Sequence, residues 1–206
     1  GVGVTSDPCP EVIGGIPTGA DPSKGCIYLG LLNDYTGPFG PYGIPLETGQ
    51  RGFWLWANQS GGIGDYSVAI IEGYDTQYNP QKHLEGYKAI RGEVAALAMS
   101  LGTPQTQFIL DDMDADNMIA APMSWYSGWS YKSSDRGLVV EFGAAYCADG
   151  MNAVDWAMAN LPVDIKTVGI MGYAGDYGGD YAGLTPDPHL TNRIAHGIMS
   201  VSNENK

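Results

Sequence analysis

The feature that most constrains this chain lies in residues 27–64. There an apolar run, IYLGLL, passes into the loop NDYTGPFGPYG, then a long helical pattern, then the glycine stop GGIG. A short apolar run bounded by turn residues reads as a buried strand. A buried strand feeding a loop and then a helix opens a parallel α/β sheet. Loops at the carboxyl ends of such strands are where open α/β sheets hold small ligands, because unpaired backbone N–H groups converge there. The alternation continues along the chain. Strands are expected at 27–32, 67–73, 94–99, 118–121, 138–142 and 167–172, with a weaker hint at 194–201. Helices are expected at 44–58, from Pro80 onward, at 104–110 and at 149–160. Phe53, Trp54 and Trp56 are expected to anchor the first of these. The fold class is therefore α/β: a doubly wound parallel sheet with flanking helices, plus the start of a second α/β lobe.

Charge narrows the partners. A formal net charge of −13 argues against nucleic acid and anionic membrane surfaces, both of which would repel such a chain. Thirty glycines and thirteen prolines imply many turns, while 44% hydrophobic residues argue against disorder. No apolar run approaches the roughly 18–20 residues of a membrane span, and no cationic segment followed by an apolar stretch opens the chain. The expectation is a mature soluble protein without its signal sequence, located outside the cytoplasm.

Cysteine usage bears on the compartment. Cys9 and Cys26 bracket PEVIGGIPTGADPSKG, a segment with little apolar material to hold it in place. A disulfide between them would tether an N-terminal arm, residues 1–26, to the first strand and contribute about 3 kcal/mol by restricting the unfolded chain. The alternative is two free thiols. Cys147 has no evident mate.

Three loops carry candidate binding chemistry. In 33–42, Thr36 offers a hydroxyl, Gly37 an unhindered backbone, Pro38 a stiff turn and Tyr42 an aromatic wall. In 100–106, the hydroxyls of Ser100, Thr103 and Thr106 surround Gly102 just ahead of a helix, an arrangement suited to a carboxylate; capping of that helix by Thr103 is the plainer reading. In 122–129, Trp125, Tyr126 and Trp129 are bulky for a loop, and at least Trp129 is expected to pack as core.

The order strand, TGPF-x-x-YG, helix, N-x-x-GGI-G resembles the start of the type I periplasmic binding proteins, and the branched-chain amino acid group of ABC-importer substrate-binding proteins is the nearest match. SLGTPQT, APMSWYSGW and GDYG extend the resemblance over residues 27–181. It implies that Tyr42 walls the ligand and that Ser100, Gly102 and Thr103 hold its carboxylate. It also implies that Met123 and Ser124 contact its head group and that Tyr177, beside Asp176, closes from the second lobe; the bulk of Trp125, with Tyr126 and Trp129, suits these side chains to line the cleft. It implies residues 27–145 as lobe I and 146–206 as a partial, divergent lobe II, since the likeness fades after Tyr181 and Pro186 and Pro188 interrupt the tail. The implied partners are a small-molecule ligand, an amino acid or an amide-like solute, and the membrane subunits of the importer.

Other motifs do not hold. Asp112, Asp114 and Asp116 copy the opening of a calcium loop, but Asn117 stands where glycine is needed and Met123 where a bidentate glutamate is needed. An acidic helix surface is the better account. His83, His189 and His196 lack ligand spacing, so no metal is expected. No nucleophile elbow, phosphate loop or dinucleotide fingerprint occurs, so neither catalysis nor a cofactor is expected. The expected function is solute binding by hinge closure. The alternative is a structural module of the same fold that self-associates.

Overall fold

The computed structural model describes residues 1–130, 135–163 and 165. Contacts divide the chain into two compact units, one formed by residues 1–124 with 136–140 and the other by 125–135 with 141 onward. In the first unit the order is β1 (Val4–Thr5), β2 (Val12–Ile13), β3 (Ile16–Pro17), β4 (Gly25–Asn33), α1 (Gly40–Gln59), β5 (Tyr66–Ile70), β6 (Tyr74–Asp75), α2 (Pro80–Ile90), β7 (Ala96–Ser100), α3 (Thr103–Phe108), α4 (Leu110–Asp116) and β8 (Ala120–Pro122). The described part of the second unit holds a 3-10 turn at Ser127–Ser130 and α5 (Tyr146–Asn160).

The sheet is built around β4. Its parallel partners are β5 and then β6 along one edge, and β7 along the other. β1 joins antiparallel opposite Cys26 and Ile27, the residues that also face β5, so β1 lies on the β7 side. β8 then pairs parallel with β7. The parallel order β5-β4-β7-β8 is doubly wound, and its reversal point falls between β4 and β7.

Alternation along β4 explains how both faces fill. Leu32 enters a core with Tyr87, Ile90, Val94, Leu97, Ile109 and Met113. Leu31 points the other way, into a cluster with Ile70, Met99, Leu101, Leu46 and Trp54. α2 starts where Asn79 accepts hydrogen bonds from the backbone N–H groups of Gln81 and Lys82, with Pro80 in its first turn. At the amino end of β4, Cys9 and Cys26 are joined by a disulfide that packs with Ala69.

The exposed edge of β5 is covered by side chains. Asn58 of α1 accepts from the Val68 N–H and donates to the Val68 carbonyl, both at 2.8 Å. Arg51 donates to the carbonyls of Ile70 (3.0 Å) and Ile71 (2.9 Å) while pairing with Glu47 at 2.7 Å. Those contacts also explain why the expected strand 67–73 breaks. β5 ends at Ile70, and the chain rejoins the sheet only at Tyr74–Asp75.

Three further expectations are corrected. The first helix begins at Gly40, a turn before 44, because Pro41 fits a first turn where its missing N–H costs nothing. Of its three aromatic anchors only Trp54 packs inward, while Phe53 and Trp56 are 53% and 62% exposed. Along the helix Trp54 falls between Gln50 and Asn58 on the inner face, Trp56 falls on the outer face, and Phe53 lies at the margin beside Leu46. The expected strand 138–142 reduces to a bridge at Val139, where Leu138 and Val140 bracket Ala120 of β8. Beyond it, Phe142 belongs to the second unit and packs on Trp125. The expected strands at 167–172 and 194–201 lie outside the described residues.

The acidic run forms α4, not an ion-binding loop. Asp112 and Asp116 pair with Arg91 at 3.7 and 3.2 Å, Asp111 and Asp114 pair with Arg136, and Asn117 ends the helix at φ 54°. Among the described residues no helix is long and apolar enough to cross a membrane, and no group of three or more His, Cys, Asp or Glu could hold a metal ion.

Candidate functional site

The carboxyl ends of β4, β6, β7 and β8 lie along one rim of the sheet, which holds the loops singled out from the sequence. At β4 the loop folds on its own carboxylates. Asp34 is buried and accepts from the N–H groups of Gly37 (2.6 Å) and Phe39 (2.7 Å). A Cβ at Gly37 would sit 2.6 Å from that carboxylate, which accounts for glycine at the turn. Asn33 accepts from the Asp34 N–H and donates to the Gly43 carbonyl, which fixes the start of α1. Asp75, at the end of β6, accepts from the Tyr35 N–H (2.9 Å) and from the Thr36 hydroxyl (2.6 Å). Burial alone would raise the Asp75 pKa, but these bonds outweigh it and hold the group below the usual carboxylate range. The Thr36 hydroxyl is thus committed to Asp75. Behind the loop, burial and the hydrogen bond to Glu47 push the Tyr35 phenol upward.

The end of β7 differs. Ser100 is fully buried, and its hydroxyl contacts His83 Nε2 at 2.8 Å and Thr106 Oγ1 at 2.7 Å. Thr106 donates to the Gly102 carbonyl at 2.8 Å. That donation assigns the protons in order: Ser100 donates to Thr106, and His83 Nε2–H donates to Ser100. The imidazole is neutral, with burial lowering its pKa to about 3, and its Nδ1 has no hydrogen-bond partner. Ser100 therefore braces the loop from within.

Gly102 adopts φ +105°, and a Cβ there would come within 2.7 Å of the Tyr78 ring. It is also the N-cap of α3, without a side-chain capping bond. Thr103 follows it as the first helical residue and does not cap, contrary to the plainer reading of the sequence. Thr103 is 1% exposed and its Oγ1 has no hydrogen-bond partner among the described residues. Gln105 is also buried; its Nε2 donates to the Tyr78 carbonyl at 2.7 Å, and its Oε1 is unpartnered. Gln77 and Tyr78 both hold positive φ, at 50° and 54°, a backbone state that costs on the order of 1–2 kcal/mol per residue.

β8 completes the rim. The Met123 N–H donates to the Ser100 carbonyl at 3.0 Å, and its side chain packs on the Leu31–Met99 cluster. Ser124 is buried beside it. The structure so gathers Ser100, Gly102, Thr103, Met123 and Ser124 at two adjacent strand ends. Tyr42 stands in the first turn of α1, 66% exposed, with its ring 6.2 Å from Phe39; Phe39 in turn stacks on Tyr78 at 4.0 Å. Trp125 belongs to the second unit, where it packs edge-on to Phe142 and Tyr146. Trp129 is buried against Tyr126, as the sequence leads one to expect. Tyr177, with Asp176 and the rest of its loop, lies outside the described residues, as do His189 and His196. Sequence reasoning missed Phe39, Tyr78, His83 and Gln105. Phe39 lay in TGPF and Gln105 in SLGTPQT without being singled out, and no local pattern marks Tyr78 or His83.

The family profile described as periplasmic binding protein matches residues 26–185. The chain belongs to the periplasmic binding protein family, a family of solute-binding proteins of ABC transporters with no enzymes among its functions. Solved structures agree. A fatty acid ABC transporter substrate-binding protein from Thermomonospora curvata is 25% identical with a TM-score of 0.67, over 87% of this chain and 45% of its own. A branched chain amino acid ABC transporter from Thermus thermophilus with bound valine is 12% identical with a TM-score of 0.66, over 84% and 43%. A solute binding protein of an ABC transporter from Rhodopseudomonas palustris BisB5, in complex with 3,4-dihydroxy benzoic acid, is 16% identical with a TM-score of 0.64, over 84% and 44%. The last two show the fold alone. The chain spans less than half the length of each. No curated protein matches it. Membership of this family implies an extracytoplasmic location.

Proposed function

We propose that this chain is the ligand-docking part of an extracytoplasmic solute-binding protein of an ABC importer, acting in the periplasm or at the cell surface. Its guest is an amino acid or a similar small polar-headed solute. Residues 27–145 serve as lobe I and residues 146–206 contribute to lobe II. The ligand docks on the rim at Gly102, Thr103 and Ser124, the lobes close by a hinge, and the closed form engages the membrane subunits. The observation that carries this reading is the Thr103 hydroxyl, buried yet unpartnered at the reversal point of a doubly wound sheet. A buried hydroxyl without a partner is costly, and a ligand oxygen there would remove the cost. Thr103→Ala and Ser124→Ala should each weaken amino acid binding by about 1–2 kcal/mol. Calorimetry with unchanged dissociation constants for both variants would sink the assignment.

One observation favours a second reading, a self-associating module. The outer face of α1 exposes Phe53 and Trp56 beside Gly49 and Gly52, which have nothing near them, and the helix's only charged residues, Glu47 and Arg51, pair with each other. Size exclusion separates the two. A transport component runs as a monomer and gains thermal stability with a solute, whereas a scaffold oligomerises and responds to none.

A further inference from the structure

The relatives' ligands leave the head group open, since a fatty acid, valine and a dihydroxybenzoic acid share only a carboxyl group. Gln105 narrows it. Its amide orientation is set by the Tyr78 carbonyl, which can only accept, so Nε2 must face Tyr78 and Oε1 must face away. That oxygen sits over Gly102, where a side chain would otherwise project, on a residue only 2% exposed and with no donor of its own. A buried carbonyl oxygen whose lone pairs accept no hydrogen bond repels a carboxylate and calls for a donor. Next in sequence to Gly102, the Thr103 hydroxyl, also without a partner among the described residues, can donate or accept.

Resting on the solute-binding reading above, we infer that Gln105 is a specificity-determining residue that selects ligands whose head group carries an N–H donor, an amide or an ammonium, and rejects carboxylates that lack one. The ligand N–H donates to Gln105 Oε1, and the Thr103 hydroxyl serves the head group's oxygen. Swapping the N–H for a second anionic oxygen sets two acceptors against each other in a buried site, so discrimination is expected to be strong.

The test uses the full chain and matched probes: valine, valinamide and 3-methylbutanoate, with benzamide and benzoate as a second pair. Dissociation constants come from calorimetry on the unaltered chain and on Gln105→Met, which keeps the length and removes the acceptor. Valine or valinamide should bind at least tenfold more tightly than 3-methylbutanoate, and Gln105→Met should shrink that ratio to within about threefold. A purely structural role for Gln105 would weaken all probes together and leave the ratio alone. That result overturns the inference, as does equal binding of amides and carboxylates, and in both cases the solute-binding reading stands. Failure of every probe to bind the unaltered chain overturns both.

Discussion

At the end of β4, every polar side chain that shapes the loop has its partners within the fold. Asn33 spans the Asp34 N–H and the Gly43 carbonyl, Asp34 holds two backbone N–H groups, and Thr36 is spent on Asp75. At the end of β7, the neighbouring strand, polar atoms are just as deeply buried, but Thr103 Oγ1, Gln105 Oε1 and His83 Nδ1 have no partner among the described residues. Both loops follow parallel strands of one sheet, so topology does not separate them. The difference teaches that hydroxyl and amide content does not set the two loops apart. Unpartnered hydrogen-bonding capacity does, and on the solute-binding reading proposed above its desolvation cost is what a guest at the β7 end would offset.

The comparison can be broken by mutation, starting with the self-satisfied loop. Asp34→Ala strands two N–H groups and should cost about 3 kcal/mol in urea unfolding. A loss under 1 kcal/mol would show that the β4 loop is not held by its carboxylate. Gly102→Ala places a Cβ against Tyr78 at a positive φ and should cost about 2 kcal/mol, read from the same unfolding curves.

Acid should reach the β7 end first. His83 has a folded pKa of about 3 against about 6.5 when unfolded, so the unfolded state binds the proton more readily. Its contribution is complete above pH 6.5 and is lost as the pH falls toward 3, at up to about 1.4 kcal/mol per pH unit. Asp75, also depressed, starts to withdraw its contribution only below its ordinary value of 3.8. Melting temperatures at pH 7 and pH 5 should therefore differ in the unaltered chain and converge in His83→Gln. The smallest expected effect sharpens the contrast most. Thr103→Val should leave the ligand-free chain as stable or raise its stability by up to about 1 kcal/mol, while weakening solute binding. Thr36→Val should do the reverse, losing about 1 kcal/mol of stability with binding intact.

How far the sequence foretold this follows the range of each interaction. The helix start at Pro80 and the glycine stop after α1 depend on neighbours within a turn, and both are found, while the doubly wound class followed from the alternation of apolar runs with helical patterns. The break after Ile70 depends on Arg51, nineteen residues earlier, and no local pattern in 67–73 announces it. The bridge at Val139 read as a strand because its apolar run continues into the second unit. The loop 100–106 was legible as a cluster of hydroxyls, but which hydroxyls have partners was not. That depends on His83 reaching Ser100 across seventeen residues and on Tyr78 holding a left-handed backbone.

Asn58 deserves a last thought in terms of what it prevents. One amide occupies the middle of the outer margin of β5, where a second polypeptide would otherwise add a strand. Truncating that side chain would open a short template for intermolecular pairing. At high concentration the variant would then be lost to insoluble aggregates even while most molecules keep their native shape.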